Sequence, residues 1–273
     1  MSFIKRLCIS SFAVLFLIQT LCGATPVSQI NTFATNVAVE TSETQEEAIA
    51  LAAEKAAEEE AARIKAEAEA LAEQMRRVEE EIARTNRIAE IDEAVSSITD
   101  SMYYVDRMDR AHELAEMARA EGLTDDNPII VKCRDIWWKA YDEFCYDRDI
   151  IATVVYNEAW YKCSDRHREL VAGVVVNRRD DTKWFGSVDT IYEVVVAPYQ
   201  YNPKYAKADS YHGRIARENP ENWAVCQEIA ARALRYEIDI PSTVLFQAEF
   251  VPGDEIYEIH KIGYSTTYFC HKY

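Results

Sequence analysis

Residues 44–95 contain neither glycine nor proline and are dominated by Ala, Glu, Arg and Lys. These are strong helix formers, and nothing in the stretch breaks a helix, so the expectation is one long helix. A seven-residue spacing runs through Ala50, Ala57, Ile64, Leu71 and Val78. A second, offset by four, runs through Ala61, Ala68, Met75, Ile82 and Ala89. Together they form the seam of a coiled coil, weak at its Ala-rich start and stronger after Ile64. Two outcomes fit the seam. One is self-association or pairing with a partner protein; the other is a solvated single helix acting as a spacer.

The sequence before this stretch reads differently. Lys5 and Arg6 are followed by a mainly apolar run over 7–21 and by Cys22-Gly23-Ala24. That is the pattern of a secretory signal over residues 1–24. The run falls short of the ~20 apolar residues a membrane span needs. Leu21 ahead of Cys22 argues against lipid attachment. Residues 25–43, rich in Thr, Ser, Asn and Val, read as a flexible leader. The mature protein is expected to be secreted, extracellular or cell wall-associated, with no membrane contact once the signal is removed.

Charge narrows the partners. The net charge is −17, and losing Lys5 and Arg6 with the signal makes it more negative. Such a surface repels nucleic acid and anionic membranes. Cys133, Cys145, Cys163, Cys226 and Cys270 remain beyond the signal, and an odd number leaves a thiol free or paired between chains. No C-x-x-C pair occurs and the histidines are scattered, so neither metal nor cofactor is expected.

Residues 96–122 are expected to continue as helix on an apolar face of Met102, Val105, Met108, Leu114 and Met117, which makes 44–122 a helical arm. The 122–128 loop reads as a boundary, with Pro128 opening the next helix. A fragment of residues 128–273 is therefore expected to fold and act without residues 25–122. Residues 123–146 form a connecting helix, in which Ile136, Trp137, Trp138, Tyr141 and Phe144 read more readily as packing than as a sugar platform. From residue 147 the chain reads as one module. Helix signals cover 149–160, 168–178, 190–196 and 220–235, and a polar, Tyr-rich stretch spans 199–214. Residues 244–247 and 264–270 alternate as short strands. The fold class is mostly α with a small β-sheet, α+β.

One position breaks the pattern of that module. Ile151, Val154 and Val155 recur at helical spacing, and the next position on their face is Glu158. Apolar stripes face a core. A carboxyl there loses hydration and its pKa rises, which suits a general acid for glycosidic cleavage. The bland alternative is a helix-end glutamate that bends out to solvent.

The surrounding residues bear on that choice. Tyr156-Asn157-Glu158-Ala159 is followed by Val171-Ala172-Gly173-Val174-Val175-Val176-Asn177-Arg178 and by Ile191-Tyr192-Glu193-Val194-Val195. Gln200-Tyr201 comes next, then Lys261-Ile262-Gly263 ahead of Phe269-Cys270. In this order the elements resemble the SleB-type cell wall hydrolase family over residues 147–273. The resemblance implies a lysozyme-like, lytic-transglycosylase-like module acting on peptidoglycan. It implies Glu158 as the catalytic acid, with Tyr156, Asn177, Gln200 and Tyr201 as substrate-binding positions. Asn177 also suits a helix C-cap, and Gln200-Tyr201 also suits a packed turn. The chain departs from the family pattern at Asn157, where Gly is usual, at Trp160, where Arg is usual, and across the 161–168 loop.

The resemblance supplies one carboxylate, whereas hydrolysis by inversion or retention usually needs two. A single acid/base suits a lytic transglycosylase that cleaves the MurNAc–GlcNAc bond and closes a 1,6-anhydro ring. Asp165, Glu169 and Glu193 are the nearby candidates for a second carboxylate, all expected on solvated faces. Muramidase-type hydrolysis is the alternative chemistry. A coiled-coil wall-binding protein with a non-catalytic or weakened module is the alternative class. Amide cleavage would need a zinc site or a Cys–His pair, for which only Cys163 and His167 stand close in sequence.

Overall fold

The computed structural model describes residues 43–159, 162–251 and 255–272. The expected signal, and all but the end of the expected leader, lie outside these residues. The stretch without glycine or proline forms α1 (Glu43–Ser96). The chain divides into two units, residues 1–76 and 77–273. In the first unit, Ile64, Leu71 and Met75 of the expected seam stand about half exposed. Ion pairs there join helical neighbours, Glu60 with Arg63 and Glu73 with Arg76. Such pairs each contribute only about 0.2–0.5 kcal/mol.

In the second unit, Ile91 and Val95 of α1 are buried against Ala111, Leu114 and Ala118 of α2 (Tyr104–Ala120). Ile130 and Cys133 of α3 (Pro128–Glu158) complete this cluster. Arg87 pairs with Glu121 at 2.6 Å, and Arg84 Nε donates to the Glu121 carbonyl at 2.7 Å. Residues 44–122 are therefore not one arm. Their last part belongs to the core of the second unit, because Ile91, Val95 and the inner face of α2 have apolar partners on α3. The helix expected through 96–122 also breaks at 97–103. The Ser96 and Ser97 hydroxyls donate to the Asp92 and Ala94 carbonyls, competing with the helical ladder, and α2 runs back along α1.

The third helix is longer than expected. Asn127 caps it through Oδ1, which accepts from the Ile129 N–H at 3.0 Å, and Pro128 opens its first turn. No Gly or Pro follows before Glu158, so the helix runs unbroken. The expected join between a connecting helix and a module at residue 147 falls mid-helix. The chain continues through α4 (Asp165–Asp180), α5 (Ile191–Val196), a 3-10 turn (Pro203–Ala206), α6 (Tyr211–Glu218) and α7 (Pro220–Leu234). The 3-10 turn and the first half of α6 lie in the stretch expected only to be polar. The main core joins Ile151, Val154 and Val155 of α3 to Leu170 and Val174 of α4. Val194 and Val195 of α5, Leu234 of α7 and Phe269 close it. Val105 and Met108 of α2 reach this same core.

Three antiparallel strands, β1 (Val244–Ala248), β2 (Ile256–Ile262) and β3 (Ser265–His271), in the order β1-β3-β2, lie along α4: Arg166 near its start bonds Glu258 of β2, and Arg178 near its end bonds the Leu245 carbonyl of β1. The β2–β3 hairpin pairs Ile262 with Ser265 and turns through Gly263 at φ +60°, a left-handed conformation that glycine adopts without penalty. Strand β2 was not expected: Glu258, His260 and Lys261 make it too polar to read as one. The architecture is mostly helical with a small antiparallel sheet, as the composition and periodicity imply. Cys133, Cys145, Cys163, Cys226 and Cys270 form no disulfide with one another. Among the described residues, no helix is long and apolar enough to cross a membrane.

Candidate active site

The C-terminal end of α3 carries Glu158 out of the main core. Ile151, Val154 and Val155 beneath it are fully buried, whereas the Glu158 side chain remains open to solvent. Its carboxyl nevertheless has a raised pKa, first because surrounding protein desolvates it and second because the Glu249 charge stands nearby. Two influences oppose the rise: a hydrogen bond from Tyr205 and the positive charge of Arg178.

Tyr205 comes from the 3-10 turn, which Asn202 caps by accepting from the Lys204 N–H at 3.1 Å. Burial and the Glu158 charge both raise the Tyr205 phenol, so it stays protonated and donates to the carboxylate. Behind it, the His212 ring of α6 packs edge-on against Tyr205 at 5.1 Å. Asn157 donates Nδ2 to the Thr153 carbonyl at 2.7 Å, which leaves its Oδ1 to accept from His212 Nδ1 at 3.0 Å. His212 Nε2 lies 3.3 Å from Asn202 Nδ2. Asn157 thus locks α6 and the Tyr205 turn onto the end of α3.

Arg178 closes the other side. It is buried, donates Nε to the Leu245 carbonyl at 2.6 Å and lies over the Tyr201 ring at 5.0 Å. Its Nη1 and the Tyr201 hydroxyl are buried without a hydrogen-bond partner. Gly173, one turn earlier on α4, lets Ile240 approach closely: a Cβ there would stand 2.8 Å from the Ile240 side chain.

The sequence-derived positions fare unequally. Glu158 stands exposed at the C-terminal end of α3, with Tyr205 beside it. Tyr156 is half-buried against the main core. Asn177 is neither a C-cap nor a free amide: α4 continues to Asp180, and Asn177 Nδ2 donates to the Pro241 and Val244 carbonyls at 2.9 and 3.0 Å. That amide ties α4 to the start of β1. Gln200 is half-buried, and its backbone N–H bonds the Ala197 carbonyl. Tyr201 is buried beneath Arg178, so its ring face is not a platform for a sugar. Trp160 and Tyr161 lie outside the described residues.

The expected second carboxylates are engaged elsewhere. Asp165 pairs with Arg168 at 3.1 Å, and Glu193 closes the capping box of α5 with Thr190. Glu169 is not on a solvated face: its side chain is 18 % exposed and pairs with Arg232 at 2.7 Å. The carboxylate whose charge reaches Glu158 is Glu249, just past β1, a position with no distinguishing local pattern. Tyr205 and Arg178 were likewise missed, although Arg178 is the second half of the Asn-Arg pair. A Cys163–His167 couple finds no support. Burial raises the Cys163 thiol and, with His260 nearby, pushes His167 down to about 4, the reverse of a thiolate–imidazolium pair.

No family model, curated protein or solved structure matches the chain.

Proposed function

We propose that this chain is an exported enzyme that cuts peptidoglycan glycan strands at the MurNAc–GlcNAc bond, with Glu158 as general acid and then base. The reading rests on the SleB-type motif order and on the lysozyme-like module that the resemblance implies. The observation that carries it is Glu158 itself: a solvent-open carboxyl whose pKa is raised by desolvation and which Tyr205 holds in place.

In this mechanism Glu158 gives its proton to the departing glycosidic oxygen. The resulting carboxylate takes the proton of the muramic acid 6-hydroxyl, whose oxygen closes onto C1. The product ends in a 1,6-anhydro ring and no water is consumed. Intramolecular attack has a large effective concentration, so one acid/base is enough. The exposed apolar positions of α1 fit self-association or a partner protein that sites the enzyme on the wall.

Glu249 favours a second reading, muramidase-type hydrolysis. A second carboxylate near the acid is the arrangement in which one group protonates the leaving oxygen and the other activates water or attacks. Mass spectrometry of digested peptidoglycan separates the two, since anhydro-ended products mark the transglycosylase and reducing-end muramic acid marks hydrolysis. Glu158→Gln is expected to lower the rate by about 10²–10⁴ in either case. A wild-type chain that sediments with peptidoglycan but releases no product would favour a non-catalytic wall-binding module instead.

A further inference from the structure

The long helix α1 carries two apolar stripes, and the fold buries one of them. Ile91 and Val95 pack against α2 and α3. Ile82 stands nine residues before Ile91, about two and a half turns, so the two side chains leave the helix on opposite sides. The stripe through Ile82 is the expected coiled-coil seam. Its large members, Ile64, Leu71, Met75, Val78 and Ile82, are 47–57 % exposed. A helix that serves only as a spacer gains nothing from such a stripe. Apolar residues at a seven-residue repeat gain from a second helix of the same repeat. Because the seam faces away from Ile91, a helix laid on it leaves the packing of Ile91 and Val95 untouched.

The charges along the seam's edges specify that second helix. From 58 to 86 the flanking positions carry five glutamates, Glu58, Glu60, Glu67, Glu79 and Glu81, and one base, Lys65. In a parallel, in-register pair, a residue on one flank faces the opposite flank of the partner's next heptad. Glu60 then meets Lys65 of the second copy, Glu67 meets Ala72, Gln74 meets Glu79 and Glu81 meets Asn86. No like charges meet. Sliding one copy by a heptad sets Glu67 on Glu79 and Glu60 on Glu58. The antiparallel alignment that overlays 64–82 on itself sets Glu67 on Glu81, which offsets its Lys65–Glu79 contact. Of these alignments, the acidic edges are self-complementary in the parallel, in-register one alone. Within one chain, Lys65 reaches Glu69 only at 4.0 Å, and an ammonium with three donors has capacity for a second carboxylate.

We propose that the seam of α1 pairs with a second copy of this chain, parallel and in register, as a two-stranded coiled coil. This pairing goes beyond the reading at Glu158 and does not depend on it.

Sedimentation equilibrium of the full chain tests it, and a concentration-dependent rise to twice the chain mass is expected. Leu71→Lys is expected to raise the dimer dissociation constant at least tenfold. Lys65→Glu sets glutamates face to face across the seam and is expected to raise it several-fold. Adding Glu60→Lys to Lys65→Glu exchanges the pair and is expected to restore most of the loss. Ala68→Cys reports orientation: in a parallel, in-register pair residue 68 faces its own counterpart, so oxidation is expected to link the two copies, whereas the antiparallel alignment sets it against Val78. Residues 60, 65, 68 and 71 are all exposed, so these changes spare the core. A chain that stays monomeric, which leaves the seam to another protein, would overturn the proposal. So would an assembly larger than a dimer, a dimer indifferent to Leu71→Lys, no rescue by the charge exchange, or no cross-link in Ala68→Cys.

Discussion

The Tyr205 hydroxyl donates to the Glu158 carboxylate, joining the 3-10 turn to the exposed end of α3. That bond favours the charged form of Glu158 and so holds down a pKa that burial raises. Tyr205→Phe removes it and should raise the Glu158 pKa further. A general acid works while protonated, so the alkaline limb of the pH–activity profile should move to higher pH. A profile on purified peptidoglycan that keeps its alkaline limb, or moves it to lower pH, would break the link between this bond and the acid.

The Asn177 amide holds the Pro241 and Val244 carbonyls, which makes it a structural tie. Asn177→Ala leaves those carbonyls without their donor and should cost about 1–3 kcal/mol of stability. The KM for peptidoglycan should stay near its original value. A variant with unchanged stability and a much higher KM would return Asn177 to the substrate.

Asp147 titrates in a direction that weakens the fold. Burial raises its pKa from 3.8 to about 6, with Tyr104 and Arg179 partly opposing. Below about pH 4 both folded and unfolded chains hold the proton. Between about 4 and 6 the unfolded chain releases it while the fold retains it, so stability falls across that window and stays lower above it. Asp147→Asn should therefore raise the unfolding midpoint at pH 7 by about 2–6 °C and leave it almost unchanged at pH 3.5. Calorimetric scans at the two pH values check this, and an equal shift at both would refute it.

Residues 77–273 should unfold as one cooperative unit. A fragment of residues 128–273 should not, because removing 77–122 strips the apolar partners of Ile130, Cys133 and the Val105–Met108 contact from both cores. Circular dichroism melts of the two fragments decide the point. A sharp melt of the shorter fragment at the temperature of the longer would show that α2 is dispensable.

Where the chain's own neighbours decide the structure, the sequence was informative. The breaker-free stretch became α1, Asn127-Pro128 opened α3, and the periodic run from Ile151 placed a carboxyl at the end of a buried stripe. Local spacing sets helical faces and caps, so these features carry their own signal. It also gave a false one: the apolar residues of 105–117 extend the helical pattern past Ser96 and Ser97, whose hydroxyls turn on the preceding carbonyls and help end α1.

What surrounds Glu158 was decided by tertiary packing. Tyr205, Arg178 and Glu249 lie far from it and from one another along the chain, and meet because α3, α4, the 3-10 turn and the end of β1 pack around one core. Asn177 and Arg178 are adjacent in sequence, yet a turn of about 100° per residue on a helix sends one amide to the start of β1 and one guanidinium toward Glu158. The amphipathic period of α3 was readable as a stripe, but the surroundings of its Glu158 end and of its tyrosine-walled Asp147 end depend on what packs there. A raised pKa is a property of such surroundings, so sequence could nominate Glu158 while only the folded arrangement could add Asp147.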